Sequence, residues 1–327
     1  MASNDINKAI QKILDNAFAE YKDSTDKVTL ELIKAYSKAL EDIQNQLAKL
    51  YATIGKPDIN EARKFNRLSN LEKSVAEQIK AVTKQNIPLI GSTIKSSYEF
   101  GYYMTGFALE GVTGARLGFS LLNPKSIESA LNNDYTAIKW QESLTHDVSS
   151  AINATRQEIT QGLIQGKSYD KVVRAIQERL VGTPKRLKGI TYQVDRIVRT
   201  ESHRAHSEGR LSGIDKAAQS ADRLGIDIKK IWRCVLDDKT REAHAHMDGK
   251  EADKDGMFTV GGEQMQAPGL GAIAGNNINC RCDAIARVEG LPEGKRHDNM
   301  TRETLEAGTT FDDWAESKNI KMKYWKR

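Results

Sequence analysis

The sequence predicts an α+β protein, predominantly α, with long N-terminal helices, a further helical segment and a small loop-rich domain containing a few strands. Three observations carry this. Apolar residues recur at alternating steps of three and four through the first hundred positions. The same helical period returns between Tyr135 and Leu180. After Gly225 it gives way to strict alternation, the period of a strand. The chain has 327 residues, enough for roughly two domains of about 150 each. With 39% hydrophobic, 6% aromatic and 28% charged residues, it has the balance of a helix-rich soluble protein. No apolar run approaches the ~18 residues of a spanning helix, so no membrane partner is expected.

The elements follow in order. Ile33, Tyr36, Leu40, Ile43, Leu47 and Leu50 form a seam for a helix packed lengthwise on another, and Leu68, Leu71, Val75, Ile79 and Val82 repeat it. Gly55 and Pro57 break the chain between them, with Asp58 or Asn60 available as the next N-cap. An antiparallel hairpin of helices is the simplest arrangement. After Pro88 the composition shifts to GYYMTGFALEGVTGARLGFSLLNP, with glycines at 101, 106, 111, 114 and 118 among aromatic and aliphatic residues. Such density permits close backbone approach and weakens a helix. It fits either an apolar docking surface for another subunit or a tightly packed part of the chain's own core.

From Tyr135 helices resume, with Gly166 as a C-terminal glycine and Ser168 as the following cap. The basic loop TPKRLKG leads into a helix from about Ile190 that carries RTESHRAHSEGR. Trp232, Cys234 and Leu236 then share one face of a short strand, and Cys282, Ala284, Ala286 and Val288 alternate likewise. The Gly- and Asp-rich stretch between these strands reads as loop with a small hairpin at Met257 to Val260. The linear reading is therefore a helical docking region over 1–134, an α+β domain over 135–290 and a basic tail over 291–327.

The N-terminus MASNDINKAI lacks the basic and apolar regions of a signal peptide, so a reducing compartment is expected. Three cysteines cannot all pair within the chain, and Cys280 and Cys282 are too close in sequence for an unstrained disulfide. They read as thiols or metal ligands. A net charge of +5 is mild, but KNIKMKYWKR has five basic residues, no acid, and Tyr324 beside Trp325. With Lys185, Arg186 and Lys188, the residues Lys321, Lys323, Lys326 and Arg327 are candidates for phosphate contact; the other reading of the tail is a solvated end.

Three separated blocks resemble the phage head morphogenesis domain, the minor head protein family typified by Mu protein F and the SPP1 minor capsid protein. They are Arg199-Thr200-Glu201; then Trp232, Asp237, Thr240, Arg241, His244, Asp248 and Gly249; then Asn279-Cys280-Arg281-Cys282. The resemblance covers roughly residues 135–290. It implies a minor capsid protein docked at the portal inside the procapsid, aiding head assembly, DNA packaging or delivery, with double-stranded DNA and scaffold or major capsid protein as further partners. It places the protein in the virion, and in the host cytoplasm during assembly. Asn277 stands where the family often carries a histidine.

The blocks admit a metal or a purely structural network. A CxC pair on a strand points both sulfurs to one face about 7 Å apart, so closure onto zinc requires local bending. His244 would add a nitrogen and Asp237 an oxygen; His246 lies outside the family pattern. Without metal, buried thiols and an Arg241–Glu201 pair would cross-link a domain poor in apolar surface. His203 and His206, three apart on a helix, either bind metal together or are surface histidines. The alternative function is a metal-dependent hydrolase or nuclease using Asp237, His244, Cys280 and Cys282. Against it, the sequence has no HExxH, P-loop, Gly-x-Ser-x-Gly or deaminase motif. An effector domain fused at the C-terminal end is discounted, since fewer than forty residues follow Gly290.

Overall fold

In this computed structural model the chain is described over residues 3–131, 139–183, 186–235, 237–289, 316–317 and 319. Nine α-helices and six short strands are assigned among the described residues. The helices are α1 (Ser3–Ile54), α2 (Ile59–Arg63), α3 (Arg67–Thr113), α4 (Pro124–Leu131), α5 (Trp140–Ile164), α6 (Tyr169–Leu180), α7 (Gly189–Ala221), α8 (Glu242–Ala245) and α9 (Ala274–Asn277). The strands are β1 (Gly182–Thr183), β2 (Arg186–Leu187), β3 (Asp227–Arg233), β4 (Phe258–Val260), β5 (Glu263–Met265) and β6 (Asp283–Glu289). They pair antiparallel as β1–β2, β3–β6 and β4–β5. The fold is the predominantly α, α+β arrangement that the periodicities predict.

Compactness divides the chain differently from the linear cut at 134 and 290. One unit comprises Met1–Thr25, Ser92–Ala137 and Arg199–Arg327; the other comprises Asp26–Gly91 and Ile138–Val198. The reason is that α1, α3 and α7 are long enough to contribute to both units, and one of the breaks falls just after Pro88, inside α3.

In the second unit the predicted seams are buried. Tyr36, Leu40, Ile43, Leu47 and Leu50 of α1 and Leu68, Leu71, Val75 and Ile79 of α3 are all nearly inaccessible. At its ends the seam slips by one residue: Leu32 and Thr83 are buried where Ile33 and Val82 were expected. Thr83 is tolerated because the Tyr36 hydroxyl lies 2.8 Å from its Oγ1, so the two polar groups satisfy each other. Asp58 caps α2, accepting from the amides of Asn60 and Glu61. Helix α5 is tied to α3 where Thr160 donates to Glu72 at 2.9 Å. Tyr169 donates to the Gln44 carbonyl and Tyr51 to that of Lys167, fixing α6 and its entry turn against α1.

In the first unit the glycine-rich stretch is core. Helix α3 runs through it to Thr113, and Tyr102, Tyr103, Leu109, Leu117 and Phe119 pack with Ile6, Ile10 and Leu14 of α1, Ile214 of α7 and Val288 of β6. The docking-surface reading of residues 101–124 falls away, because the face it needs is occupied by the chain itself. The glycines permit the closeness. A Cβ on Gly101 would sit 2.3 Å from the His206 carbonyl oxygen, and one on Gly209 would sit 2.1 Å from that of Tyr98. Helices α3 and α7 therefore cross with backbone on backbone, as small residues allow.

Strand β6 presents Ala284, Ala286 and Val288 inward, as the alternation predicts. It pairs with β3 in the register Trp232↔Ala284 and Ile228↔Val288. Asn7 of α1 extends the pairing, since its side chain donates to the Val288 carbonyl at 3.0 Å and accepts from the Val288 amide at 2.8 Å. The expected hairpin forms as β4–β5 around Gly261 and Gly262, both at positive φ as a two-residue turn demands.

Gly209→Ala forces a Cβ into backbone that cannot yield, and it should cost at least about 1–3 kcal/mol. Gly111→Ala in α3 meets nothing closer than 3.8 Å and should be neutral or stabilising. Thermal denaturation followed by circular dichroism compares the two; an unchanged Tm for Gly209→Ala would contradict the crossing.

Candidate functional site: a buried histidine–cysteine knot

The site is assembled by a return of the chain onto the end of β3. Trp232 is fully buried, and its ring stands edge-on to His244 at 5.6 Å and to Phe258 at 5.3 Å. Asp248 accepts from the Cys234 amide at 2.8 Å, and the Gly249 amide donates to the Trp232 carbonyl at 2.8 Å. These two bonds bring α8, and with it His244, back over the strand end. Thr240 donates to the Val235 carbonyl and to Asp237, closing the turn before α8. Arg241 donates to the carbonyl of Ile278, so the α8 turn is held to the segment carrying the cysteines.

That segment does not lie in the strand, which begins at Asp283. Asn279 has a φ of 55°, and its amide meets Thr200 Oγ1 of α7 at 3.3 Å. The chain thus turns into the site just before Cys280, and the two sulfurs, about 7 Å apart on a straight strand, lie within 4.8 Å of each other. Cys280 Sγ lies 3.7 Å and Cys282 Sγ 3.5 Å from His244 Nδ1, and the three ligand atoms are all within 4.8 Å of one another. All three residues are buried. Cys234 joins them, its sulfur 3.3 Å from that of Cys282, 2.8 Å from the His244 carbonyl and 3.1 Å from the Trp232 indole nitrogen. Hydrogen bonding from Cys282 outweighs the cost of burial and pulls the Cys280 thiol well below its ordinary value.

Asp237 is not a member. Its carboxylate is held by both terminal nitrogens of Arg281, at 2.5 Å each, and that ion pair holds its pKa well below the usual carboxylate range. Asn277, in the position where a family histidine was anticipated, braces the loop instead: it accepts from the Gly271 amide at 3.0 Å and donates to the Gly271 carbonyl. Glu263 of β5 does similar work, accepting from the amides of Ala272 and Ile273 and from the Asn276 side chain.

A second buried cluster lies on α7. His206 is fully buried, stacks on Tyr21 at 4.5 Å and lies 3.8 Å from Asp283. Arg210, 1% exposed, donates to Asp283 and, at 3.2 Å, to the Leu14 carbonyl. Burial alone would raise the Asp283 carboxyl, but the neighbouring guanidinium prevails and holds it at about 2. Burial of His206 in turn pushes its pKa down to about 4, so it is neutral. Burial of His203 acts to lower its pKa, but the neighbouring Cys280 and Asp283 together prevail and raise it.

Residues 153–285 match the family described as Phage Mu protein F like protein. Minor head protein GP7 of Bacillus phage SPP1 is 26% identical over 289 residues, covering 88% of this chain and 89% of GP7. Over residues 153–285 the chain thus carries the domain of the Phage Mu protein F like family, to which the three blocks point. The NAD(+)–arginine ADP-ribosyltransferase EFV of Enterococcus faecalis is 32% identical over 291 residues, covering 87% of this chain. The chain spans 56% of the length of that relative. No solved structure matches.

Of the family's blocks, the structure unites Trp232, Asp248, Gly249, His244, Cys280 and Cys282, and links Thr200 to Asn279. It does not join Glu201 to Arg241. Glu201 is taken by Arg204 at 3.0 Å, one turn along the same helix, while Arg241 reaches the Ile278 carbonyl. Burial raises the pKa of the Tyr21 phenol, and Arg199, at the start of the α7 block, lies close enough to oppose that rise slightly. The surface reading of His203 and His206 is also corrected, since both face the interior across the helix side that carries Gly209. Lys188 is ion-paired to Glu178, the side chain of Arg186 is not described, and Lys185, Lys321, Lys323, Lys326 and Arg327 lie outside the described residues. Cys234, read from the sequence as a thiol or metal ligand on the face of Trp232, was not assigned to the cluster; Arg210, Asp283 and Glu263 were passed over, and nothing local in the sequence marks them.

His206 yields a pH prediction. Its folded pKa is below the unfolded value, so between them the unfolded chain binds the extra proton. The stabilisation is present above about pH 6.5 and is lost as pH falls towards 4, by roughly 3 kcal/mol in all. The groups facing it are Tyr21, Phe100, Asp283, Arg210 and His203. Denaturant melts at pH 7.5 and 4.5 should show a smaller difference for His206→Phe than for the native chain; equal differences would rule this out.

Proposed function

We propose that the chain is a minor head protein of a tailed bacteriophage, docked at the portal inside the procapsid, where it serves head assembly and DNA packaging or delivery. The observation that carries this reading is the near end-to-end correspondence with GP7, which extends through the helical N-terminal part as well as the histidine–cysteine knot. The protein would reside in the virion head and, during assembly, in the host cytoplasm. The portal protein is the first partner, with scaffold or major capsid protein as further ones.

The knot is suited to holding a loop-rich domain together. A hydrolytic metal needs an open coordination position, whereas His244, Cys280 and Cys282 are buried and Asp237 is held by Arg281. The hydrolase or nuclease alternative is therefore not favoured. The activity for which the enterococcal relative is named is not carried over to a chain that spans 56% of it.

Contact with DNA rests on charge. Lys321, Lys323, Lys326 and Arg327, with Lys185 and Arg186, supply phosphate-neutralising groups, while Lys188 would first have to leave Glu178. Affinity for duplex DNA should fall steeply with salt, and removing the last seven residues, with their four cations, should flatten the log–log slope by about 3–4. A slope unaffected by the truncation would remove the tail from the proposal. For the portal, affinity purification of a tagged chain from infected cells should recover the portal protein in procapsids; procapsids with portal but without this chain would overturn the docking.

A further inference from the structure

The three sulfurs and one imidazole invite a test against coordination chemistry. A tetrahedral zinc ion with Zn–S near 2.3 Å and Zn–N near 2.0–2.1 Å separates its ligand atoms by about 3.5–3.8 Å. The two sulfur–nitrogen separations at His244, 3.5 and 3.7 Å, already have this length. The separation of Cys234 and Cys282 sulfurs is 3.3 Å, a few tenths short. His244 from α8 and the cysteine pair from the bend before β6 bring their ligand atoms within 4.8 Å of one another, and Cys234, just past the end of β3, adjoins this set through Cys282.

The fourth donor expected from the sequence, Asp237, is unavailable because Arg281 binds both its oxygens. Cys234 is the remaining candidate, its sulfur 3.3 Å from that of Cys282. Its backbone is fixed by Asp248 and its sulfur is directed by the Trp232 indole, so its aim at Cys282 is set by two independent contacts. The surroundings also suit an anionic centre. Three thiolates around a divalent ion leave one negative charge; Arg281 is close enough to Cys282 to feel its charge, and His203 is close enough to Cys280 to do the same.

We propose that Cys234, His244, Cys280 and Cys282 hold one zinc ion in a closed three-sulfur, one-nitrogen site, with Cys234 rather than Asp237 as the fourth ligand. Binding deprotonates the thiols, and the protons leave to solvent. With four protein ligands no position remains for water, so the ion is structural. The assignment is independent of the portal and DNA readings, and either can fail without the other.

Elemental analysis of the full chain, purified under reducing conditions and reconstituted with zinc chloride, should give one zinc per chain. Asp237→Asn and His203→Gln should retain it. Substitution with cobalt(II) should give thiolate charge-transfer absorption, and Cys234→Ser should lower it by about a third, one thiolate of three. Because Cys234→Ser could misfold, the native chain supplies a second measurement: zinc should protect all three cysteines from alkylation, and chelation should expose them together, read by mass spectrometry. No zinc in the native chain would overturn the proposal. So would a cobalt spectrum unchanged by Cys234→Ser, or alkylation of Cys234 at equal rates with and without zinc.

Discussion

The buried ion pair between Arg210 of α7 and Asp283 at the start of β6 is the constraint on which the first unit depends. A guanidinium 1% exposed is tolerable only when its charge is met, and here it is met by a carboxylate and a helix carbonyl, that of Leu14. Removing one partner of such a pair strands a charge and costs about 3–5 kcal/mol, a large share of a domain's net stability. Three elements distant in sequence, α1, α7 and β6, are therefore located by one side chain. The close crossing of α3 and α7 at Gly101 and Gly209 lets Tyr21, Phe100 and His206 stack beside the pair and keep water from it.

From that anchor the loop-rich part follows. Between β3 and β6 the chain offers few large apolar side chains, and its core there is Trp232, Met247, Phe258, Val260 and Met265 with two of the thiols. A cluster of this size does not by itself order so many loop residues. Polar cross-links complete the work: Asp248 on the Cys234 amide, Arg241 on the Ile278 carbonyl, Asn277 on both backbone groups of Gly271, and Glu263 on two amides and an amide side chain. Each satisfies backbone groups that would otherwise be buried without partners, so the network and the thiol cluster stand or fall together.

What could be read beforehand divides along the range of the interaction. The heptad-like seams, the break at Gly55, the cap at Asp58 and the alternation of β6 are all local: periodicity located the seams and the strand, and turn and capping residues located the break and, as Asp58 or Asn60, the cap. The family's blocks marked His244, Cys280 and Cys282 as belonging together. The Glu201–Arg241 pair was wrong because it matched charges without geometry: Arg204 is one turn from Glu201, and a neighbour on the same helix wins over a distant partner that must first be positioned. His203 and His206 are legible only as two histidines three apart on a helix, and it is the packing of α3 against α7 at Gly101 and Gly209 that turns their side inward. Arg210 and Asp283 are 73 residues apart, with nothing local to connect them.

The step from Cys282 to Asp283 is where the two halves of the first unit meet. In extended chain successive side chains leave on opposite sides. Cys282 thereby enters the pocket with His244 and Cys234, while Asp283 goes the other way, to Arg210 and His206. A slip of one residue would exchange them, placing a carboxylate among thiols and a thiol against a buried guanidinium. Both exchanges are unfavourable, so the register Trp232↔Ala284 is selected by electrostatics on both faces as well as by the hydrogen bonds of the strand pair. The bend at Asn279 then brings in Cys280, while Cys282, immediately before β6, takes the side opposite to Asp283.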